Sequence, residues 1–339
     1  MTPLLAIVGD TWRQSRQQVV FIIMLVLMLL VAAAGIVLPK SFPASENETE
    51  RGFGTIFSDE PTSSFYEMWN QTFLAVEMQN EGTRLEADTG AKIGKMDAQE
   101  RSEFFEKMAK ARERTIEAES GLTRYERSVQ AWHYLTSTIM ITVSMWFFIA
   151  ACSGYFPGLL QTGAVDVVLA RPITRLTVFL GKYIGGLALF AVALIAFDVI
   201  LFVGVGARTG VWHARLFLSV PLHLFMAALL YAILAFLGIL TRGPALPIIL
   251  GYLFYMFIDT ALAALIQFQT MGMLEDIAWL DKTATILRAA IPNFSMLKDY
   301  GNYAVLELPN MDWRPFLTGG VWLVVSLALG FWIFRRRDY

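Results

Sequence analysis

Six apolar runs, each long enough to cross a bilayer, restrict this chain to one kind of fold. Spanning ~30 Å of hydrocarbon takes about 20 helical residues, and every backbone N–H and C=O in that layer must be bonded within its own element or a closed barrel. Val19–Leu38 holds twenty residues without a charge and ends at Pro39-Lys40. Further runs cover 130–156, 176–206, 216–240, 245–268 and 316–334. The chain is 56% hydrophobic with a mean hydropathy of +0.52, above the ~45–50% apolar content of a soluble domain, and the excess lies in these runs. They predict an all-α integral membrane protein with six transmembrane helices and no strand.

Charge orients it. Arg13 and Arg16 precede the first run, Arg171, Arg175 and Lys182 follow the second, Arg242 follows the fourth, and Arg335, Arg336 and Arg337 follow the sixth. Cationic residues stay on the cytoplasmic side, so these four places predict both termini to be cytoplasmic. Residues 1–18 alternate apolar Leu4, Leu5, Ile7, Val8 and Trp12 with polar Asp10, Arg13 and Arg16, the pattern of an interfacial elbow helix. The first run exceeds the apolar core of a secretion signal and is expected to remain as a span.

Residues 39–129, between the first two spans, differ in kind. Over 40–130 there are 18 acidic against 12 basic residues, which suits the outer side. Residues 41–61 read as loop. Phe65, Met68, Trp69, Phe73 and Val76 predict a helix over 63–79, and Asp97 with Glu100 starts a second, with Phe104, Phe105 and Met108 on its narrow apolar face. A helical hairpin projecting outward is expected over 63–127, with a docking or lid role. Residues 269–315 are too short in their apolar stretches to cross, and Pro292-Asn293-Phe294 interrupts them, so short helices are expected at the outer interface.

Chemistry on the chain itself is sparse. The net charge of −2 gives no basic field for nucleic acid. Cys152 is the one cysteine, and no Cys/His spacing suggests a metal. Gly181-Lys182 lacks the upstream glycine of a phosphate loop. No catalytic residue, metal or cofactor is therefore expected on this chain.

The cytoplasmic stretch 157–175 is the longest polar interruption on the inner side. Gly158 and Gly163 free the backbone, Val165, Val167, Val168 and Leu169 offer an apolar face, and Asp166, Arg171 and Arg175 face water. Pro172 disfavours helix at Arg171 and ends the element. This composition suits a short helix seated in a partner's groove, although the arginines alone also fit ordinary inside anchors. Gly181-x-x-x-Gly185 in the next span permits close helix approach.

With that topology, the run Gly163, Asp166–Arg175 and Leu180-Gly181-Lys182 resembles the cytoplasmic loop of permease subunits of the type-2 ABC exporter class. Gln161 and Thr162 stand where charge is common in that family, and Ala170 replaces its usual serine. The elbow at 1–18, Ile291-Pro292-Asn293-Phe294, and the closing Phe334–Tyr339 also resemble it, whereas 40–130 has no counterpart. The resemblance implies a coupling helix contacting an ATPase through Gly163, Asp166, Leu169, Arg171, Pro172 and Arg175. It implies two cytoplasmic ABC ATPase subunits that hold ATP and Mg, and a second permease copy or similar permease in the plasma membrane. An extracytoplasmic protein is a further expected partner, at the 40–130 insertion.

Ionisable groups inside spans are costly and are functional suspects. Asp198, His223 and Asp259 each lie eight or nine residues from the outer end of their span, roughly 12–14 Å deep at 1.5 Å per residue. A polar site lining the outer half of a substrate path and a set of buried packing bonds, with Tyr252 or Tyr255 as partners, explain them equally. Two other functions fit the residues: an ion- or proton-coupled carrier using these three groups, and a non-transporting anchor recruiting an outer partner through the hairpin. The absence of an internal repeat weighs against the carrier.

Overall fold

The structure, a computed structural model, describes residues 9, 11–13, 18–44, 51–72, 99–100, 103, 121–160, 174–270, 277–306 and 313–336. Six helical stretches in it are long and apolar enough to cross a membrane. The first is α1 (Val19–Val37). After a helix over residues 64–72 (α2), α3 (Arg124–Ser153) and the short α4 (Tyr155–Leu159) make the second. The third is α5 (Arg175–Thr209), and the fourth is α6 (Ser219–Thr241), entered through a 3-10 turn at Ala214–Leu218. The fifth is split into α7 (Ala245–Tyr252), a π-helical turn (Leu253–Ile258) and α8 (Asp259–Thr270). Two short helices, α9 (Ala278–Ala290) and α10 (Phe294–Val305), precede the sixth, α11 (Arg314–Arg336).

Local chemistry sets several boundaries. α3 begins six residues before the apolar run because Thr123 and Glu126 form a reciprocal cap: Glu126 N–H donates to Thr123 Oγ1 (3.2 Å) and Thr123 N–H to Glu126 Oε2 (2.8 Å). Such caps stabilise a helix start by ~1 kcal/mol. The span thus carries a polar extension, Arg124 to Gln130, beyond the membrane run. Thr174 caps α5 through Thr177 N–H (3.1 Å), and Gly210 ends that helix at φ 80°.

The core centres on α6, whose Leu229, Tyr231 and Ala232 are fully buried against α3, α5, α10 and α11. Phe148, Phe156, Phe179 and Phe190 fill the space beside it. α1, the fifth span and α11 turn Val26, Leu30, Ile249, Phe257, Leu317 and Val324 outward, as lipid-facing surfaces do. α9 is set with its polar side inward. Gln269 Nε2 donates to Asp281 Oδ1 and Thr285 Oγ1 (both 2.8 Å), while Trp279 and Ile286 face out.

One expectation needs revising. The segment read as loop over 41–61 contains an antiparallel ribbon, β1 (Pro39–Phe42) with β2 (Gly52–Thr55), Ser41 opposite Phe53. Two four-residue strands this polar show no alternation, and such ribbons are marginal alone. This one is held from outside: Phe53 is buried edge-on against Phe65 at 5.3 Å, and Arg208 Nε donates to Pro39 O (2.7 Å). The chain is mostly helical rather than all-α. At Gly185 the close helix approach is made as expected, by a helical part of the N-terminal segment. A Cβ there would lie 2.9 Å from Thr11 Oγ1, so the close approach is to the N-terminal segment.

Of the expected elbow, the described residues are Gly9, Thr11–Arg13 and Gln18; of the second insertion helix they are Gln99, Glu100 and Glu103. The rest of both, and Arg337–Tyr339, lie outside the described residues.

Candidate functional site

Contacts sort the molecule into two ends. At one end, Arg175 Nη1 donates to Arg335 O (2.7 Å), joining the start of α5 to the last turn of α11. Phe179, one turn on, sits among Phe156, Phe331 and Phe334. Thr11 packs on Gly185, and Pro157 packs on Gly238 beside Pro247. The N-terminal segment, the end of α4, the start of α5, the α6–α7 turn and the close of α11 therefore share this end. Gly163, Asp166, Leu169, Arg171 and Pro172 lie outside the described residues. What is described are the shoulders of that stretch, and both are rooted in the core: Phe156 0% and Phe179 1% exposed, with Lys182 buried and its ammonium 6.0 Å from the Tyr155 ring.

The opposite end is built around α10. Its N-terminal N–H groups have no partner within the helix, as at any helix start. Asp259, reaching across from α8, takes two of them: Phe294 N–H donates to Oδ1 (2.6 Å) and Ser295 N–H to Oδ2 (2.7 Å), with Ser295 Oγ on Oδ2 as well. Asn293 takes a third, accepting from Met296 N–H (2.8 Å). A carboxylate here also meets the positive end of the helix dipole. The π-helical turn immediately before Asp259 widens the fifth span where the carboxylate emerges.

His223, on α6, lies beneath the middle of α10. It sits against the Lys298 backbone and the Asn302 side chain. Gly301 makes room for it, since a Cβ at that position would collide with the imidazole. Asp198, on α5, accepts from Ser219 Oγ (3.3 Å) through Oδ2, while Oδ1 is buried with no partner among the described residues. All three groups are 1% exposed. Among the described residues no hydrogen bond joins any two of them. Asp259 and His223 are brought to one element, α10, and Asp198 meets the residue one turn before His223 on α6. The tyrosines considered as partners bond elsewhere or only pack: Tyr252 OH donates to Trp146 O (2.7 Å), and Tyr255 packs on Phe294.

Two features of this end escaped the sequence reading. Asp299, on α10, is held largely out of water. Burial pushes its carboxyl up to about 6, Lys298 opposing the rise and Asp259 adding to it. Nothing in its spacing marks it, because it lies in no apolar run. The second is a set of polar residues at the other end of α10: Trp69, Gln130 and His213. A histidine in the short stretch between the third and fourth runs and a glutamine at a span boundary carry no pattern that a linear reading can weigh.

No curated protein sequence matches the chain. Among models of known protein families, one described as ABC-2 family transporter protein matches residues 5–339.

Proposed function

Because this chain belongs to the ABC-2 transporter family, a multi-pass permease family of the plasma membrane, we propose that it couples ATP hydrolysis on a separate cytoplasmic ATPase to export, or to mechanical work across the membrane. The observation that carries this reading is the match itself, which runs through all six spans rather than one loop. Two permeases, identical or similar, would stand over two ATPase subunits, which hold ATP and Mg. The end that gathers Thr11, Arg175, Arg242 and Arg335 is then the cytoplasmic end, as positive charge prefers, and the 39–129 insertion is extracytoplasmic.

In this reading residues 163–172 receive the push of the ATPase. Their shoulders suit the task. α4 and the first turns of α5 are packed into the core through Phe156 and Phe179, and Phe179 also touches the last turns of α11. A displacement applied between them would act on α4 below the Gly154 break in the second span, on the third span and, through Phe179, on the sixth. Asp198, His223 and Asp259 line the outer half of the path beneath α10, which closes it from outside.

Co-purification tests the reading. The full chain solubilised from its native membrane is expected to carry an ABC ATPase in near-stoichiometric amount. Asp166→Ala and Arg171→Ala should each release most of it while the permease keeps its elution volume. Retention of the ATPase in both variants would remove the assigned contact. No ATPase in any preparation, together with ion-driven flux in vesicles, would replace the function.

A further inference from the structure

The C-terminal end of α10 is tied to the outer insertion by a line of hydrogen bonds whose direction can be read from its donors. Trp69, on α2, has only an N–H to give, and it donates to Gln130 Oε1 (2.9 Å). That fixes the amide, so Gln130 Nε2–H faces His213 Nδ1 at 3.4 Å. Nδ1 must accept, which leaves the ring hydrogen on Nε2, and Nε2–H donates to Val305 O (2.5 Å), the last carbonyl of α10. The four groups come from the insertion, α3, the loop before α6, and α10. Side-chain packing follows the same route. Trp69, Ala131 and Leu306 form a small buried cluster with Phe65, Met68 and Tyr134 around it. Arg127 lies over the Trp69 ring at 5.3 Å and is itself buried.

We propose that Trp69, Gln130 and His213 are positioning residues that hold the outer helix α10 in its seat, so that the insertion and the outer closure of the permease move as one unit. Asp259 fixes the other terminus of α10 from the fifth span. The outer helix thus has one anchor in the membrane bundle and one in the insertion, and anything that displaces α2 acts on the second. This gives the insertion a role in opening that needs neither a bound partner nor the ATPase contact.

A single cysteine at Ala304, 6% exposed on α10, reports the seat when placed in a Cys152→Ser background. The readout is the rate of labelling by a bulky membrane-impermeant maleimide added outside to the full chain in vesicles without nucleotide. Trp69→Phe keeps an aromatic ring and removes the donor, and is expected to raise the rate about 5- to 30-fold, the change that losing one or two hydrogen bonds brings. His213→Phe should do the same, and the double variant should add little, because the bonds act in series. His213→Gln retains a donor for Val305 O and an acceptor for Gln130 and should stay near the parent rate. Packing alone predicts the reverse order, with the ring-preserving Phe closer to parent than Gln. That order, equal rates in all variants, or a matching rise at a cysteine placed at buried Ala235 on α6 would overturn the proposal. ATPase coupling is not read by this assay, so its result stands apart from the co-purification.

Discussion

Asp259 concentrates the energetics of the α10 end in one side chain. It accepts two backbone N–H groups and a hydroxyl while 1% exposed, and charge-assisted bonds of this kind contribute ~1.5–3 kcal/mol each. Asp259→Ala leaves those donors buried and unpaired. It should lower the stability of the full chain by about 3–5 kcal/mol, and Asp259→Asn, which keeps one acceptor oxygen, by about half that. Thermal unfolding of the purified permease measures both. Asp299 works with the opposite sign. Burial disfavours the charge and pushes its carboxyl up from an ordinary 3.8 to about 6. Folding therefore opposes its ionisation. The cost is absent below about pH 4, grows between the two values and is complete above 6, reaching at most ~3 kcal/mol at 1.36 kcal/mol per unit. Asp299→Asn should raise the melting temperature at pH 7.5 and leave it unchanged at pH 4; equal shifts at both would refute the assignment. The sequence showed that Asp259 was an acid inside a span. It could not show the partner, since Phe294 and Ser295 lie 35 and 36 residues away and offer backbone groups that carry no residue-type signal.

Among the elements, the spans were legible because hydrocarbon leaves so little choice: an apolar run of this length must be a helix. Their edges were less so. The apolar run of the second span begins at Gln130, but the helix begins at Arg124, where Thr123 and Glu126 cap it. The ribbon at Pro39–Thr55 was hidden because its stability comes from Phe65 and Arg208, outside its own residues. The π-helical turn at Leu253–Ile258 was hidden as well, and it leads to a test. A π turn holds one residue more than an α turn and absorbs it without rotating the helix beyond. Deleting Phe257, an outward-facing residue of that turn, should regularise the helix, keep Asp259 toward α10, and cost little. Inserting one alanine after Phe257 should instead rotate Asp259 by about 100° and destabilise the chain nearly as much as Asp259→Ala. Comparable melting temperatures for deletion and insertion would show that the turn has no such role.

At the scale of the whole molecule, the two ends are built on different principles. The end around Phe179 is aromatic and tightly packed, which in the proposed function suits it to transmit a displacement. The end around α10 is polar and directional. Both termini of α10 are bonded to elements distant in sequence, Asp259 at one and His213 at the other. A helix seated in this way has no partial departure: tilting it by a fraction of an ångström weakens both anchors and satisfies no new group. In the proposed function such a seat would act as a detent: it would hold until a threshold is passed, so a graded push from the other end would be delivered as a discrete event.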